Sequence, residues 1–382
     1  MEISIFSFLA ATIWSSVFII FLYIGRKKRF FIKSFGVSSI VLLYGFSAVR
    51  LLFPVELPFT ATVSSDAPLY QGIQKILYYP IGTDESYFPL WKVLAIVWIA
   101  FSLFLICVTV ADYVGIMRDI DSVNLTEDGR IRNVLDRVQK ENKGRFKVHI
   151  IQSAAIDGAM STGVKNRYIL LPDTASSSEE DLYYIVSHEY THLKNRDQLV
   201  KLLSIIFCDI FWWNPLCYLL INDLEQSLEI KCDDMVVNSC CSAKEKSSYM
   251  KTIVKDVQRQ KTRKHRKRLF GLRGTSGSAQ IKERFMRIKI PHTKNQNNKL
   301  MVGMIVCVML FSYSFVIQSA FDVPVEEVEV DSGTQAYVRD DLFIRVNENG
   351  EYEFVSSNGI KVVTKELAEE FIKNGVQLIE TE

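Results

Sequence analysis

The stretch SHEYTHLKNRD, residues 187–197, holds two of the five histidines of this 382-residue chain. His188 and His192 are four positions apart and flank Glu189. On an α-helix, residues four apart lie one turn above each other on the same face, so both imidazoles can reach one ion. Glu189, one position along, can reach a metal-bound water without being a ligand. This HExxH pattern is typical of zinc hydrolases and indicates a Zn²⁺ site with Glu189 as the catalytic base.

The sequence around this stretch favours two consecutive helices. The segment SSSEEDLYY, residues 176–184, opens on serines and then places acids in the first turn, as helix N-termini do. Asn214-Pro215 ends the pattern, and the helix that follows contains EIKCD, residues 229–233. We expect Glu229 to be the third zinc ligand. Asp233, one turn later on the same face, is expected to hydrogen-bond a ligand imidazole.

Other candidate ligands remain open at this point. Glu225, one turn before Glu229, is the alternative third ligand. Cys232 is a competing ligand, although a small buried residue is its more common role. Asp197 follows His192 by five residues, off the metal face of an ideal helix, and we expect it to support the structure around the ligands. The remaining histidines have no partner pattern: His149, His265 and His292.

Four apolar stretches are each close to the roughly 20 residues that cross a bilayer. They are residues 3–24, 35–54, 90–111 and 300–320. A single stretch of this kind also fits a buried core helix, but four favour a multi-pass protein of the cell membrane. The first lacks the basic start and the cleavage site of a signal peptide, so we expect it to remain in the protein.

Basic residues set the expected orientation. RKKRFFIK, residues 26–33, follows the first span and predicts a cytoplasmic loop, with the N-terminus outside. The tail after residue 320 has 15 acidic and 5 basic residues, which fits an extracellular position. The expected domains are three spans in 1–112 with an outer loop at 54–89, a cytoplasmic metallopeptidase domain at 113–299 with a basic linker at 256–299, a fourth span at 300–320 and a small acidic extracellular domain at 321–382.

Two further segments carry structural expectations. MSTGVKNRYILLP, residues 160–172, reads as strands and predicts an edge strand that pairs with an extended substrate, with an ordinary core strand as the alternative. The apolar run Leu199–Trp213 is too short to span a bilayer. Its two tryptophans before Asn214-Pro215 indicate either a bend at the membrane interface or a buried helix hairpin.

Five motifs occur in an order and spacing that resemble the antirepressor membrane metallopeptidases of the BlaR/MecR type. They are GVKNRYILLP (163–172), HEYTHLKNRD (188–197), WWNPL (212–216), EIKCD (229–233) and IKERFMRI (281–288). The resemblance covers about residues 1–320. It implies a zincin-like domain with His188, His192 and Glu229 on Zn²⁺ and Glu189 as catalyst. It also implies that an outside signal activates cleavage of a cytoplasmic transcriptional repressor.

The fold expected from residues and resemblance together is a mainly α integral membrane protein. It has four transmembrane helices, a cytoplasmic α+β zincin-like metallopeptidase domain and a small extracellular α+β tail. The tail departs from the β-lactam sensors of that family, because it has only about 60 residues and no SxxK motif. The SYMK at Ser248 lies on the expected cytoplasmic side and is a chance match. We therefore do not expect covalent β-lactam sensing by this chain alone, and the extracellular ligand stays unknown.

The expected function is a membrane-embedded zinc metalloendopeptidase that transduces a signal in an antibiotic response. Its expected partners are the lipid bilayer, the repressor as substrate and an extracellular ligand, without direct binding to nucleic acid; a homodimer is left open. The basic linker is a second expected substrate, with Leu269-Phe270-Gly271 as the natural place for self-cleavage. Two alternatives stand beside this function: a housekeeping membrane zinc protease without signalling, and a transducer or scaffold that cleaves nothing.

Overall fold

A computed structural model describes most of the chain. The described residues are 5–262, apart from short gaps at 28, 59, 66, 78, 82–87, 124–127, 145, 155, 157, 174–176 and 241. After these come 278–288, 303, 306–308, 310–319, 328–330, 333–335, 343–346, 350, 352–356, 359–373 and 376–379.

The helices in this part of the chain are α1 (Ile5–Arg26), α2 (Arg29–Leu52), α3 (Pro68–Leu77), α4 (Leu90–Asp121), α5 (Gly129–Glu141), α6 (Glu179–Asn195), α7 (Asp197–Ile210), α8 (Pro215–Ser239), α9 (Ala243–Thr262), α10 (Ser278–Ile288) and α11 (Lys365–Lys373). The strands are β1 (Ala61–Ser65), β2 (Pro80–Ile81), β3 (Phe88–Pro89), β4 (His149–Gln152), β5 (Met160–Thr162), β6 (Tyr168–Leu171), β7 (Phe315–Ser319), β8 (Val328–Val330), β9 (Gly333–Gln335), β10 (Phe343–Val346), β11 (Tyr352–Ser356), β12 (Gly359–Val363) and β13 (Gln377–Ile379).

The chain divides into two compact units. The first comprises residues 1–59 and 98–314, and the second comprises residues 60–97 and 315–382. In the first unit, a three-stranded sheet of order β4-β6-β5 packs with α5 and α6. The core between them is formed by apolar side chains that all lie on the inner faces, among them Ile131, Val138, Ile169, Leu171 and Val186. Because β5 pairs only with β6 among the described strands, it forms an edge of this sheet.

Among the described residues, two helices are long and apolar enough to cross a membrane, α1 and α4. Within α2, the stretch Ser39–Leu52 is also apolar but shorter. The surface of α4 exposes large apolar side chains that water would not solvate favourably, such as Ile96 at 62% and Phe104 at 59%. A lipid environment covers such a surface. Together with the family assignment given below, these helices make the chain a membrane protein.

The hairpin of α7 and α8 packs against the apolar helices. One buried cluster contains Leu22 of α1, Leu43 of α2, Phe207 of α7 and Leu220 of α8. At the tip of the hairpin, Trp213 lies 6.1 Å from Phe8, measured between ring centroids. Leu199–Trp213 is therefore part of a helix hairpin in which Phe207 is buried but Leu203 and Trp213 are 56% and 38% exposed. The bend at the membrane interface stays a prediction.

The sequence predicts a helical span at residues 300–320, but the last residues of this stretch form a strand. Residues 310 and 311 are helical, but Phe315–Ser319 form strand β7, which pairs in parallel with β1 of the same unit. The β-branched and aromatic residues of FVIQS suit a strand as well as a helix, and the ladder with Ala61–Ser65 decides between them. Before the strand, Arg50 of α2 donates from Nη2 to the carbonyl oxygen of Ser312 at 3.4 Å.

The segment expected to be a basic linker is partly ordered into helix. Helix α9 extends to Thr262, and residues 278–288 form α10, which packs on α8. Arg284 and Arg287 of α10 are buried, so this part of the segment is not a solvated linker. The remaining residues, 263–277 and 289–299, lie outside the described residues, and with them Leu269-Phe270-Gly271, His265 and His292.

The second unit contains a small α+β structure near the C-terminus. Its sheet has the order β12-β11-β10-β13, in which β13 runs parallel to β10 after the crossover through α11. Ile344, Phe354, Val363 and Ala368 form its core.

Candidate metal centre

Helix α6 carries the two histidines and begins where the sequence indicates. The Ser178 side chain accepts a hydrogen bond from the backbone N–H of Asp181 at 3.1 Å, and Glu179, Glu180 and Asp181 occupy the first turn. The helix ends at Arg196, which adopts a left-handed conformation with φ 58°. Helix α7 starts at the next residue, so α6 and α7 meet at a sharp turn directly after the histidine pair.

Three donor groups converge at one point between α6 and α8. Nε2 of His192 lies 3.2 Å from Nε2 of His188. The carboxylate of Glu229 approaches both rings, with Oε2 3.3 Å from Nε2 of His188 and Oε1 3.4 Å from Nε2 of His192. Among the described residues, Glu225 contributes no atom to this group, and Cys232 belongs instead to a second group of possible ligands with His192 and Asp197.

The size of this triangle fits a tetrahedral zinc ion. Zinc binds imidazole nitrogen and carboxylate oxygen at about 2.0–2.1 Å. Two ligand atoms of a regular tetrahedron with such bonds are about 3.3 Å apart, which matches the separations found between His188, His192 and Glu229. The sequence predicts these three residues as ligands, and the structure brings them together.

The other nitrogen of His192 has a partner that orients the ring. Nδ1 lies 2.8 Å from Oδ2 of Asp197. Because a carboxylate can only accept, Nδ1 carries a proton, so Nε2 is the nitrogen that offers a lone pair to a metal once the imidazole is neutral. In the metal-free protein, burial lowers the pKa of His192, but Cys232, Glu229 and Asp197 outweigh it and raise this pKa well above its ordinary value. Asp197 reaches this position because the left-handed turn at Arg196 directs the start of α7 back towards His192.

His188 is oriented in the same way, but through a tyrosine. Its Nδ1 lies 2.9 Å from the Tyr249 hydroxyl, which donates its own proton to Oδ1 of Asp233 at 2.7 Å. Nδ1 is therefore the donor, and Nε2 is again free for a metal. Asp233 was expected to bond an imidazole directly; its Oδ1 lies 3.4 Å from Nδ1 of His188, and the shorter connection passes through Tyr249.

Two buried cations face the Glu229 carboxylate. Nζ of Lys201 lies 3.6 Å from Oε1, and Nη1 of Arg284 lies 3.4 Å from Oε2. Burial opposes the charged form of Glu229, but His192, His188 and Lys201 outweigh it and hold the pKa of this carboxyl well below its ordinary value. Glu229 is thus ionised and ready to bind a cation.

The formal charges around the site leave room for a divalent metal. Carboxylates outnumber the cations around this centre: Lys201 lies in the field of Glu229, Glu225, Glu189 and Asp197, and Arg284 pairs with Asp233 and Glu229. A divalent ion would offset part of this excess of acidic groups. Uncompensated buried charge is costly, so this balance supports a metal at the centre.

The neighbouring candidates have other surroundings. Burial raises the pKa of Glu225 to about 7, with Lys201 opposing the shift and Glu229 adding to it. Sγ of Cys232 lies 3.2 Å from Nδ1 of His192, on the side of the ring away from Glu229. Burial raises the pKa of this thiol to about 12, although His192 lowers it, which keeps Cys232 protonated in the absence of metal.

Sequence reasoning missed three residues of this centre: Lys201, Tyr249 and Arg284. A lone lysine inside the apolar run LVKLLSIIF was a signal for Lys201, because a buried lysine needs nearby acids. Arg284 belongs to the quoted motif IKERFMRI, but its helix was assigned to the basic linker. Tyr249 had no signal, since nothing in the local sequence shows that its hydroxyl meets His188.

A helix with His-Glu-x-x-His and a glutamate from a following helix is the donor set of metallopeptidases with one open metal position. Comparison with known families agrees. Residues 84–288, more than half of the chain, match the model of the BlaR1 peptidase M56 family. The chain therefore belongs to this metallopeptidase family, which confirms the resemblance to the BlaR/MecR type and implies a metal cofactor.

Individual relatives match over parts of their length. The regulatory protein BlaR1 of Staphylococcus aureus is 26% identical over 192 residues, which is 50% of this chain and 32% of the relative. The methicillin resistance mecR1 protein of S. aureus strain Mu50 is 31% identical over 96 residues, or 24% of this chain and 16% of the relative. The regulatory protein BlaR1 of Bacillus licheniformis is 24% identical over 119 residues, covering 20% of that relative. The matched region thus spans a third or less of these proteins.

Proposed function

We propose that this chain is a zinc-dependent membrane endopeptidase that transduces a signal by cleaving a cytoplasmic transcriptional repressor. The observation that carries the proposal is the triangle of His188, His192 and Glu229, whose atoms are spaced for tetrahedral zinc and whose imidazoles both turn Nε2 inwards. Three protein ligands would leave one tetrahedral position for water, and Glu189, next to His188 in the sequence, is a buried acid on the same helix.

Each residue has a chemical role in this proposal. His188, His192 and Glu229 would hold the zinc, which when bound supplies a Lewis acid for the water and for the scissile carbonyl. Glu189, on the same helix, takes the proton of the attacking water and passes it to the leaving amine. Glu189 is buried on this helix, with 8% of its surface exposed.

Strand β5 supports the proposed mode of substrate binding. It is the edge of its sheet and contacts α6, the helix with the histidines. Ser161 accepts a hydrogen bond from Nε2 of Gln198 at 3.2 Å. This bond fixes the strand beside the start of α7, where Gln198 follows Asp197. An extended peptide can add to such an edge by backbone hydrogen bonds, with its scissile bond held near the metal.

The signalling role rests on the family and on the membrane helices. The matched relatives are named as regulatory and methicillin resistance proteins, and this supports a role in an antibiotic response. We propose the multi-pass topology described above, with the N-terminus and the tail outside and residues 113–299 on the cytoplasmic side. The exception in this proposal is the tip of the α7–α8 hairpin, which packs against Phe8 and Trp98 near the outer ends of α1 and α4 and would therefore lie within the membrane. The domain boundaries, the extracellular ligand, a homodimer and cleavage of the basic linker are parts of the same proposal.

The experiment that tests the function replaces the base and leaves the ligands intact. Glu189→Gln in the full chain, purified and reconstituted in lipid, is expected to bind zinc like the wild type. When it is expressed in cells together with the repressor, it is expected to leave the repressor uncleaved. The loss of a general base typically costs about 10²–10⁴ in rate. Zinc content is measured by elemental analysis and cleavage by mass spectrometry of the products.

Glu180→Gln is the matched control, because Glu180 is an exposed acid on the same helix. It is expected to cleave at the wild-type rate. Equal cleavage by wild type and Glu189→Gln would contradict the proposed role of Glu189. Zinc binding without cleavage of any repressor or membrane protein would favour the scaffold, and cleavage of membrane proteins without repressor cleavage would favour the housekeeping protease.

A further inference from the structure

Helix α10 lies against the metal centre although the sequence assigns it to a linker. It packs along α8, where Nε2 of Gln226 donates to the carbonyl oxygen of Gln280 at 3.1 Å. Arg284 points from this helix into the protein and is 5% exposed. A fully buried arginine needs carboxylates around it, because its guanidinium stays charged at any physiological pH.

Arg284 meets that need with two carboxylates of the centre. Its Nε donates to Oδ2 of Asp233 at 2.6 Å, and its Nη2 donates to Oδ1 of the same residue at 2.7 Å. This is a bidentate pair, which fixes the plane and the direction of the Asp233 carboxylate. The third nitrogen, Nη1, lies 3.4 Å from Oε2 of Glu229.

The orientation of Asp233 is transmitted to a predicted metal ligand. Oδ1 of Asp233 accepts the hydroxyl proton of Tyr249, and the Tyr249 oxygen in turn accepts from Nδ1 of His188. If Asp233 rotated, Tyr249 would lose its acceptor and His188 would lose the contact that sets its tautomer. One arginine thus contacts Glu229 directly and reaches His188 through Asp233 and Tyr249.

We propose that Arg284 is a positioning residue of the metal centre, which holds Asp233, Tyr249 and His188 in the arrangement that presents Nε2 to the metal. This inference shares one assumption with the proposed function, namely that a metal binds His188, His192 and Glu229. Arg284 contacts Asp233 and Glu229, so its effect is on metal affinity first. Partners of this kind change metal affinity or activity by about 10–100-fold when they are removed.

The test measures zinc affinity of the full chain in detergent micelles, by competition with a chromophoric chelator. Arg284→Gln is expected to bind zinc about 10–100-fold more weakly than the wild type. Arg284→Lys keeps the charge but cannot form two parallel hydrogen bonds, so an intermediate loss is expected. Lys282→Gln, an exposed cation on the same helix, is the matched control and is expected to bind zinc like the wild type.

A double variant separates positioning from general packing. Because the path from Arg284 to His188 passes through Asp233, the loss of zinc affinity in Asp233→Asn combined with Arg284→Gln is expected to be clearly smaller than the sum of the two single losses. The direct contact with Glu229 accounts for any loss beyond that of Asp233→Asn alone. Thermal unfolding of each variant shows that the measurements are made on folded protein, and Arg284→Lys decides if Arg284→Gln does not fold. Wild-type affinity in both Arg284 variants, an equal loss in Lys282→Gln, or additive losses in the double variant would overturn the proposal.

Cleavage plays no part in this readout, so the two proposals fail in different ways. A wild type that binds zinc and cleaves nothing contradicts the proposed function and leaves the role of Arg284 intact. A wild type that binds zinc no better than His188→Ala contradicts the metal centre itself.

Discussion

Arg196 is the residue at which the metal-binding helix stops. Its φ of 58° is left-handed, a conformation that costs a non-glycine residue roughly 1–2 kcal/mol. The side chain makes no capping hydrogen bond and is exposed, so Arg196 contributes to the turn through its backbone conformation. That conformation brings Asp197 to 2.8 Å from Nδ1 of His192, where a continued helix would have carried it away.

We predict that Arg196→Val destabilises the protein by about 1–2 kcal/mol relative to Arg196→Gly, because a β-branched residue fits the left-handed region worst. The same valine is expected to weaken zinc binding, since the backbone would relax and move Asp197 from His192. Thermal unfolding and zinc competition, both with Arg196→Gly as the matched control, measure the two effects. Equal unfolding temperatures for the two variants would show that the turn is not constrained at this residue.

Helix α8 connects the apolar helices to the metal centre. Near its first half, Asp223 forms a buried salt bridge with Arg26 at the end of α1 and accepts a hydrogen bond from Tyr44 of α2. Arg26 also pairs with Glu283 of α10, the neighbour of Arg284. Glu229 follows Asp223 by six residues on α8, so the same helix is fixed to the apolar helices at one point and contributes a predicted ligand at another.

We predict that Asp223→Asn destabilises the protein by about 3 kcal/mol, because removing one partner of a buried ion pair leaves the other charge uncompensated. Asn222→Ala, at the exposed neighbouring position, is the control and is expected to change stability by no more than about 0.5 kcal/mol. The double variant Arg26→Met with Asp223→Leu is expected to recover part of the loss. The unfolding temperatures of these variants in detergent are compared with that of the wild type. An Asp223→Asn variant as stable as the wild type would mean that Glu283 alone compensates the charge of Arg26.

Within the larger unit, the hairpin of α7 and α8 extends from the metal centre to the N-terminal parts of α1 and α4, which carry Phe8 and Trp98. Its tip residue Phe211 lies 5.9 Å from Trp98, and Trp98 lies 5.5 Å from Phe8, between ring centroids. The Ser102 hydroxyl donates to the carbonyl oxygen of Ile210, the last residue of α7, at 3.0 Å. The tip of the hairpin is therefore packed against α1 and α4.

We predict that Phe8→Cys and Trp213→Cys, introduced together after replacement of the native cysteines, are joined by a short bismaleimide in membranes. The ring separation of 6.1 Å places the two side chains in contact, so linkage needs no large motion. The control pair joins Phe8→Cys with Lys194→Cys, at the metal end of α6, and is expected to stay unlinked. Linkage is detected by a gel shift after cleavage at a protease site inserted between the two cysteines. Linkage of the control pair alone would contradict the packing of Trp213 against Phe8.

The sequence alone determined the features that depend on local periodicity. His188 and His192 share a face because a helix places residues four apart one turn above each other, and Glu229 and Asp233 follow from the same rule. The start of α6 at Ser178 was readable from its serines and acids, and the apolar length of α1 and α4 predicted membrane helices. These properties need no knowledge of what lies across the protein.

Tertiary structure decided the partners that are distant along the chain. Arg284 meets Asp233 across 51 residues and Tyr249 meets His188 across 61, and no local pattern fixes such pairs. Strand β7 was expected to be the end of a helix because its apolar residues suit both structures, and pairing with β1 decided for the strand. The physical reason is common to these cases: a buried charge, a hydroxyl or an unpaired backbone must find its partner, and the fold alone brings that partner within reach.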